Sequence, residues 1–306
     1  MSSILAAERF PIERFDEIAN HPGDFRLLER IPITVPEATQ PSRLPVVLTA
    51  TQSDDHVKQL VMLDTETTGV SPFTDQIIEL GMVRASYSAN RGVLLSIDRI
   101  YDELEAPERP IPSAITKLTG ITDEMVSGKR LDEDGVLSFM NGKPLVLAHN
   151  AGFDRPFFER RFPHLKDLFW ACTQQEVDWN ALGAPSRKQE VLALSRGWFY
   201  DAHRASTDCL AMLWLLHVVP GALKMLLESA RQPSIKLIVR GNSFDVKDQL
   251  KEKGARFEQI GNDKYWYLMV GSDREAEELT SYVQRLNPML RVDRVMFTAR
   301  NRYKSK

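Results

Sequence analysis

The stretch Leu60–Gly69, which reads LVMLDTETTG, changes character halfway along its length. Four apolar residues, the pattern of a buried strand, run directly into Asp64 and Glu66. Side chains two apart on a strand leave the same face, so both carboxylates are expected to point together at one strand end. Two carboxylates in a partly buried place repel each other, and a bound Mg²⁺ or Mn²⁺ removes that repulsion. For the pair alone, an exposed polar turn is the simpler interpretation.

A second segment, LVLAHNAGFD, has the same construction. An apolar strand ends at His149 and Asn150, and Asp154 follows in the first turn of a predicted helix. A lone Asp at that position would only satisfy the helix dipole. Asp154 is therefore a candidate site residue only in combination with the other segments.

A third segment, HRASTD, begins a strong helical pattern. His203 comes just before the predicted helix, where a capping or surface role is the ordinary one, and Asp208 lies inside it. Asp208 shares its helix face with apolar residues such as Met212 and Leu215. An acid on an apolar stripe is costly unless it is paired or bound to a metal.

Taken together, the three segments predict one site. Each lies at a strand end or a helix start, where a sheet edge can gather side chains into a cleft. Four carboxylates and one histidine form the set that two-metal hydrolysis of a phosphodiester requires, because the acids hold two ions and the histidine accepts a proton from water.

The order D-x-E, N-x-x-x-D and H-x-A-x-x-D resembles the DnaQ-like 3′–5′ exonucleases of the DEDDh type, which include proofreading subunits, RNase T and oligoribonuclease. Within this superfamily the chain resembles bacterial DNA polymerase III epsilon-like exonucleases with an extra C-terminal module. The similarity covers about residues 58–220 and includes the segments IIELGMV and IPSAITKLTGIT. It implies an α/β fold, with a ribonuclease H-like mixed five-stranded sheet flanked by helices.

The resemblance also implies roles for individual residues. The positions that match the family's metal ligands, expected to hold two Mg²⁺ or Mn²⁺ ions, are Asp64, Glu66, Asp154 and Asp208. His203 matches the general base and completes the catalytic set. The positions that match contacts to the 3′-terminal nucleotide are Thr65, Thr67 and Asn150.

The implied activity is metal-dependent hydrolysis of the 3′-terminal phosphodiester of DNA, with release of 5′-mononucleotides, in DNA repair or proofreading. The expected partner is a nucleic acid with a free 3′ end, and single-stranded DNA is favoured over RNA because the C-terminal part could hold a longer strand. Two alternatives stay open: a 3′–5′ exoribonuclease that trims RNA ends or short oligoribonucleotides, and a non-catalytic nucleic-acid-binding subunit. A polymerase or repair partner is compatible with the motifs.

Composition and charge favour a cytoplasmic protein with a polyanionic partner. The net charge of −3 divides into −9 for residues 1–228 and +6 for residues 229–306. An acidic body needs metal ions to meet a polyanion, and a basic part attracts phosphate. Two cysteines form neither a disulfide framework nor a zinc site, and no secretory signal is recognised. The apolar stretch Cys209–Leu227 is interrupted by polar residues, so it predicts a core helix and no membrane partner.

Three parts are expected along the chain. Residues 1–57 form an N-terminal extension with a proline-rich connector, residues 58–230 the DEDDh exonuclease domain, and residues 233–306 a small basic α+β accessory domain. In the accessory domain the pattern predicts three strands and two helices.

The accessory domain combines aromatic and basic residues. Tyr265 and Tyr267 are expected on one strand face and Trp266 on the other, where we favour a core role for Trp266 and nucleic-acid contact through the basic surface. The basic terminal segment RVDRVMFTARNRYKSK could grip a nucleic-acid backbone or fray. Arg155, next to Asp154, is expected to be a solvated helix charge.

Overall fold

The computed structural model describes residues 12–35 and 40–304. The start of the predicted N-terminal extension and the last two residues of the basic terminal segment lie outside this range. The strands are β1 (Glu29–Arg30), β2 (Val46–Val47), β3 (Val57–Thr67), β4 (Ile77–Ser88), β5 (Val93–Leu104), β6 (Leu145–Ala148), β7 (Phe169–Cys172), β8 (Trp198–Phe199), β9 (Ser234–Arg240), β10 (Arg256–Ile260), β11 (Asp263–Val270) and β12 (Arg291–Phe297). The α-helices are α1 (Phe15–Asn20), α2 (Ser113–Thr119), α3 (Asp123–Val126), α4 (Glu133–Phe139), α5 (Ala151–Arg161), α6 (Thr173–Glu176), α7 (Gln189–Ser195), α8 (Ala205–Val218), α9 (Ala222–Arg231), α10 (Lys247–Glu252) and α11 (Asp273–Leu286).

The central sheet has the strand order β2-β5-β4-β3-β6-β7. Strands β4 and β5 form an antiparallel hairpin, and β3 pairs antiparallel with β4. On its other side β3 pairs parallel with β6, which pairs parallel with β7. The predicted mixed α/β fold is confirmed. Its five strands β3–β7 are joined at the β5 edge by β2 from the extension, a two-residue strand with no pattern of its own.

The apolar run of β3 is buried on both faces of this sheet. Leu60 and Met62 face one core, which includes the apolar side of α8 and α9, and Val61 and Leu63 face the other, which includes α5. A strand covered on both faces reads as a continuous hydrophobic run instead of an alternating one. The run ends where both cores end, so Asp64 is the first residue of β3 that can leave the apolar interior.

Helix α8 is the predicted core helix. Its residues Cys209, Met212 and Leu215 are completely buried. Among the described residues, no single helix has the length and apolar composition to cross a membrane. Helices α8 and α9 would reach that length only as a pair, and they are bent by 102° at the junction between them.

The C-terminal part forms a four-stranded antiparallel sheet in the order β10-β11-β9-β12, with α10 and α11 packed on one face. Three strands are predicted from the sequence, and the structure adds β10, which forms a hairpin with β11. Trp266 packs against the helix-covered core and its Nε1 donates to the Ser243 hydroxyl, as expected for a core residue. Tyr267 lies on the other face beneath the Lys236 ammonium, which is 4.0 Å from its ring centre.

Residues 298–304 of the terminal segment return to the central domain, so this part does not fray, and its contact with a nucleic-acid backbone stays a prediction. The carbonyl of Ala299 accepts a hydrogen bond from the Trp170 backbone N–H of β7 at 2.7 Å. Arg155, expected to be solvated, is completely buried, and its guanidinium donates to the carbonyls of Arg300 and Arg302, each at 2.6 Å. Backbone carbonyls carry no sequence pattern, so this pairing could not be anticipated.

Candidate active site

Three of the predicted acids form one cluster. Asp64 and Glu66 leave the same face of β3 at its carboxyl end, and Asp208 reaches them from the first turn of α8. Carboxylate oxygens of the three residues lie within 4.8 Å of one another. The cluster forms because the packing of α8 on β3 and β4 brings the start of the helix to the end of the strand.

The fourth predicted acid, Asp154, lies beside β3 in the first turn of α5. Its side chain is only 2% exposed. Oδ1 accepts hydrogen bonds from the backbone N–H and the hydroxyl of Thr65, at 3.1 and 2.9 Å. Because Thr65 lies between Asp64 and Glu66 in sequence, these bonds fix Asp154 to the same strand end as the cluster.

Asp208 is held by its own helix start and by the preceding loop. Oδ2 accepts from the backbone N–H groups of His203 and Arg204, at 2.8 and 3.2 Å. Oδ1 accepts from the Tyr200 hydroxyl at 3.1 Å. Gln189 donates to the Asp208 carbonyl at 2.8 Å. Tyr200 and Gln189 are missed by the sequence motifs, although Tyr200 lies only three residues before His203.

The loop that carries His203 is braced by the N-terminal extension. His203 is half-buried and adopts a left-handed backbone conformation, with φ 67°. Strand β1 pairs parallel with β8, which directly precedes this loop. Arg30 of β1 pairs with Asp201 at 2.7 Å and lies over the Phe199 ring. Residues outside the predicted exonuclease domain therefore support the predicted general base.

Glu79 of β4 holds the start of α8 in place and is a third residue that the motifs miss. It is fully buried and accepts from Arg204 at 2.7 and 2.8 Å and from the Ala205 backbone N–H at 2.9 Å. At Gly81, two residues along β4, a Cβ atom would clash with the backbone of Ala205. The sequence does contain a sign of this role, because Glu79 is an acid inside the apolar run IIELGMV and a buried acid requires a partner.

The three residues predicted to contact the nucleotide do not share one environment. Thr65 and Thr67 are buried, and the Thr67 hydroxyl donates to the Gly69 carbonyl at 2.6 Å. Asn150 is exposed, in a left-handed conformation with φ 89°, where α5 begins. Its contact with a nucleotide stays a prediction, and so do those of Thr65 and Thr67, whose hydroxyls are already engaged within the protein. His149 bonds to Thr173 and to the Arg187 carbonyl and lies outside the acid cluster.

Burial and mutual repulsion raise the pKa of all four acids. Burial, followed by repulsion from neighbouring carboxylates, raises the pKa of Glu66 to about 8. Burial is also the main cause that raises the pKa of Asp154 to about 7 and of Asp208 to about 6, although hydrogen bonds from Thr65 and Tyr200 oppose it. The pKa of Asp64 lies well above its ordinary value for the same main reason. Without a cation, this site disfavours four negative charges at neutral pH.

The donor set fits a divalent metal. Asp64, Glu66 and Asp208 offer only oxygen atoms, at mutual distances that one hard cation can bridge, and Asp154 lies alongside. Carboxylate oxygens are the ligands that Mg²⁺ and Mn²⁺ prefer. A bound cation would reverse the pKa shifts, because an opposite charge stabilises the ionised form.

Comparison with known proteins gives a consistent result. The family profile described as "Exonuclease" (RNase_T) matches residues 61–216, half of the chain. A DNA polymerase III of the PolC type from Caldanaerobacter subterraneus subsp. tengcongensis is 33% identical over 165 residues, 52% of this chain and 10% of that protein. A PolC-type polymerase from Latilactobacillus sakei subsp. sakei is 35% identical over 166 residues, 52% and 11% of the two chains. The chain thus spans about a tenth of the length of these relatives.

Among solved structures, the nuclease domain of 3′hExo, a DEDDh family member bound to rAMP, shares 19% identity with a TM-score of 0.43, covering 58% of this chain and 95% of that one.

Proposed function

Because this chain belongs to the RNase T-type exonuclease family, with the DnaQ-like character that its motifs indicated, we propose that it is a metal-dependent 3′–5′ exonuclease that acts on DNA. It would hydrolyse the 3′-terminal phosphodiester and release 5′-mononucleotides, in DNA repair or proofreading. The observation that carries the proposal is the convergence of Asp64, Glu66 and Asp208 within 4.8 Å, with Asp154 fixed beside them.

In this proposal the four acids hold two Mg²⁺ or Mn²⁺ ions. When bound, such ions activate a water molecule and stabilise the leaving oxygen of the phosphodiester. Thr65 keeps the Asp154 carboxylate turned towards the strand end, and Tyr200 with the start of α8 keeps Asp208 in place. His203 accepts the proton from the attacking water, and Glu79 keeps the helix start beneath it fixed through Arg204.

DNA is proposed as the substrate on the basis of the relatives. The two relatives described above, which match 52% of this chain, are DNA polymerases by name, and the exonuclease profile covers the segment that carries the four acids. We also propose that the chain acts in the cytoplasm, with residues 233–306 as a small basic accessory domain.

Cleavage of end-labelled oligonucleotides tests this function. With Mg²⁺ and a 5′-labelled single-stranded DNA, we expect a ladder that shortens from the 3′ end one nucleotide at a time. With a 3′ label, the first product is a labelled mononucleotide. EDTA is expected to abolish both reactions, because the acids alone cannot activate water.

The same panel includes duplex DNA and RNA of matched sequence. A preference for RNA of about tenfold, roughly 1.4 kcal/mol in transition-state free energy, would replace DNA by RNA as the substrate. Internal cleavage products would contradict an exonuclease mechanism, and activity that persists in EDTA would contradict metal dependence.

The stability of the metal-free protein is expected to fall as the pH rises from 5 to 8. Carboxyl groups in the unfolded chain titrate near pH 4, whereas Glu66 and Asp154 titrate near 8 and 7 in the folded protein. Between these values the folded state binds more protons, so raising the pH favours unfolding, by at most about 1.4 kcal/mol per pH unit for each group. Thermal unfolding in EDTA measures the effect, and millimolar Mg²⁺ should restore more stability at pH 8 than at pH 5.

The matched control is Glu66→Gln, which keeps the shape of the side chain and removes one titrating group. Its stability should depend less steeply on pH than that of the wild type. If the two proteins show the same dependence, or if KCl at equal ionic strength stabilises as much as Mg²⁺, the acids are not coupled as described.

A further inference from the structure

A second polar site lies at the amino ends of the central strands, opposite the end that carries the acid cluster. A cavity of about 710 Å³ opens where β3 and β6 begin, between α9 and the returning terminal segment. Four cations line it, Lys58, Arg84, Lys143 and Arg231, and none of its fourteen lining residues is acidic. Three of these cations, Lys58, Arg84 and Lys143, belong to the part of the chain whose net charge is −9, and Arg231 belongs to the basic part.

The four cations lack carboxylate partners within the described ranges 12–35 and 40–304. None of them forms an ion pair there. Arg84 is fixed by neutral acceptors, the Gln59 side chain and the carbonyls of Phe139 and Asn141. Lys58 and Lys143 are exposed and keep their charge available to a ligand.

The walls of the cavity favour a nucleic-acid strand as the anion. Phe169 is 40% exposed, and the guanidinium of Arg300 lies over its ring at 5.2 Å. An exposed ring beside cations suits a base together with its phosphate, since bases stack on aromatic side chains irrespective of sequence. An acidic peptide would use the cations but would gain little from the ring.

We propose that this cavity, lined by Lys58, Arg84, Lys143 and Arg231, binds the phosphodiester backbone of a single-stranded nucleic acid upstream of the 3′ end. The inference rests on the proposed exonuclease function. Lys58 and Asp64 are six residues apart on β3, which places the cavity about 20 Å from the acid cluster. A trinucleotide has only two internucleotide phosphates and cannot occupy both sites, whereas a twenty-residue strand is long enough to do so.

The test is the double charge reversal Lys58→Glu/Lys143→Glu, with Lys251→Glu/Lys264→Glu as the matched control. The control makes the same change of charge on exposed lysines of the basic C-terminal domain. Binding of fluorescent dT20 is measured by anisotropy in EDTA, so that no strand is cleaved. We expect the first variant to bind dT20 at least tenfold more weakly and its salt dependence to lose about 1.4 in slope, the value for two phosphate contacts. The control, on the basic surface where the sequence predicts further nucleic-acid contact, should lose clearly less affinity than the first variant.

Cleavage with Mg²⁺ separates this proposal from the proposed function. The first variant should cleave dT3 at the wild-type rate and require more dT20 for half-maximal rate. If the wild type cleaves neither substrate, the exonuclease proposal fails, and the binding measurement still decides the cavity.

Three results would overturn the cavity proposal. The first is unchanged dT20 affinity and salt slope in Lys58→Glu/Lys143→Glu, and the second is a larger loss in the C-terminal control. The third is competition by a twenty-residue polyglutamate that equals competition by unlabelled dT20, which would assign the cavity to an acidic peptide. If the charge reversal fails to fold, the neutral pair Lys58→Gln/Lys143→Gln should still reduce the salt slope.

Discussion

Replacing Asp64 with asparagine is expected to reduce exonucleolytic cleavage by about a thousandfold while stabilising the metal-free protein. A loss of about 4 kcal/mol of transition-state stabilisation, typical when the electrostatic centre of a metal site is damaged, corresponds to that factor. The gain in stability follows from the cluster itself, because Asp64 repels Asp154, Asp208 and Glu66 when no cation is present. Activity is measured on 5′-labelled DNA with Mg²⁺, and stability by thermal unfolding in EDTA.

A loss of activity together with a gain of stability identifies Asp64 as a functional residue. A side chain kept for folding loses stability on replacement, whereas one kept for chemistry loses activity and often gains stability. Asp98→Asn is the matched control, because Asp98 lies on the same sheet and accepts from Ser86 and Ser96, outside the cluster. We expect it to keep its activity within about twofold.

His203→Asn separates the general base from metal binding. Asparagine tolerates the left-handed conformation at this position, so the loop should survive the change. The rate should fall by roughly a hundredfold or more, because proton transfer is lost. Stabilisation by Mg²⁺ should persist in His203→Asn and disappear in Asp64→Asn. A variant of either residue with wild-type activity would remove that residue from the mechanism.

The acids of the site could be predicted because each is marked by its own local context. Asp64 ends an apolar run, Asp154 follows a strand end, and Asp208 interrupts an apolar helix stripe. In each case a charged residue falls in a pattern that predicts burial, and this mismatch is visible within a short stretch of sequence. The same reasoning identified strands β3 and β6 and the long core helix, since continuous apolar burial on two sheet faces is also a local signal.

The partners of these acids could not be predicted in the same way. Glu79 meets Arg204 across 125 positions of sequence, and Arg30 meets Asp201 across 171. Neither pair follows a periodicity, because tertiary packing brings them together. Strand β10 was missed because it is short and its alternation stops halfway. Phe257 lies opposite Trp266 on the helix-covered face, but the next residue on that face is the polar Gln259.

Removal of the terminal segment is expected to destabilise the central domain strongly. A chain that ends at Phe297 would leave the buried Arg155 guanidinium with Glu159 as its remaining side-chain partner, since its three carbonyl acceptors lie at 299, 300 and 302. Glu176, with a side chain only 5% exposed, would lose donors from Arg302 and Tyr303. Breaking a buried ion pair costs about 3–5 kcal/mol, and an unpaired buried charge adds to that cost.

We therefore expect the melting temperature to fall by about 10 °C or more, at roughly 2–4 °C per kcal/mol for a domain of this size. A chain shortened by only two residues, ending at Lys304, keeps every one of these contacts and serves as the control. Cleavage should decline together with stability, because Arg155 directly follows Asp154 on α5. Thermal unfolding of the two truncated proteins, with Mg²⁺ present, measures the difference.

A double-mutant cycle with Arg155→Met tests whether the lost contacts of Arg155 explain the destabilisation caused by the truncation. In the full chain, the substitution leaves three carbonyls without their donor and should be destabilising. In the chain that ends at Phe297 it removes a buried charge that has lost its acceptors, so it should be neutral or stabilising. Equal costs in both backgrounds would show that the terminal segment and Arg155 act independently. A coupled result would mean that the C-terminal domain is tied to the helix carrying Asp154 through one buried guanidinium, which makes the accessory domain part of the stability of the active site.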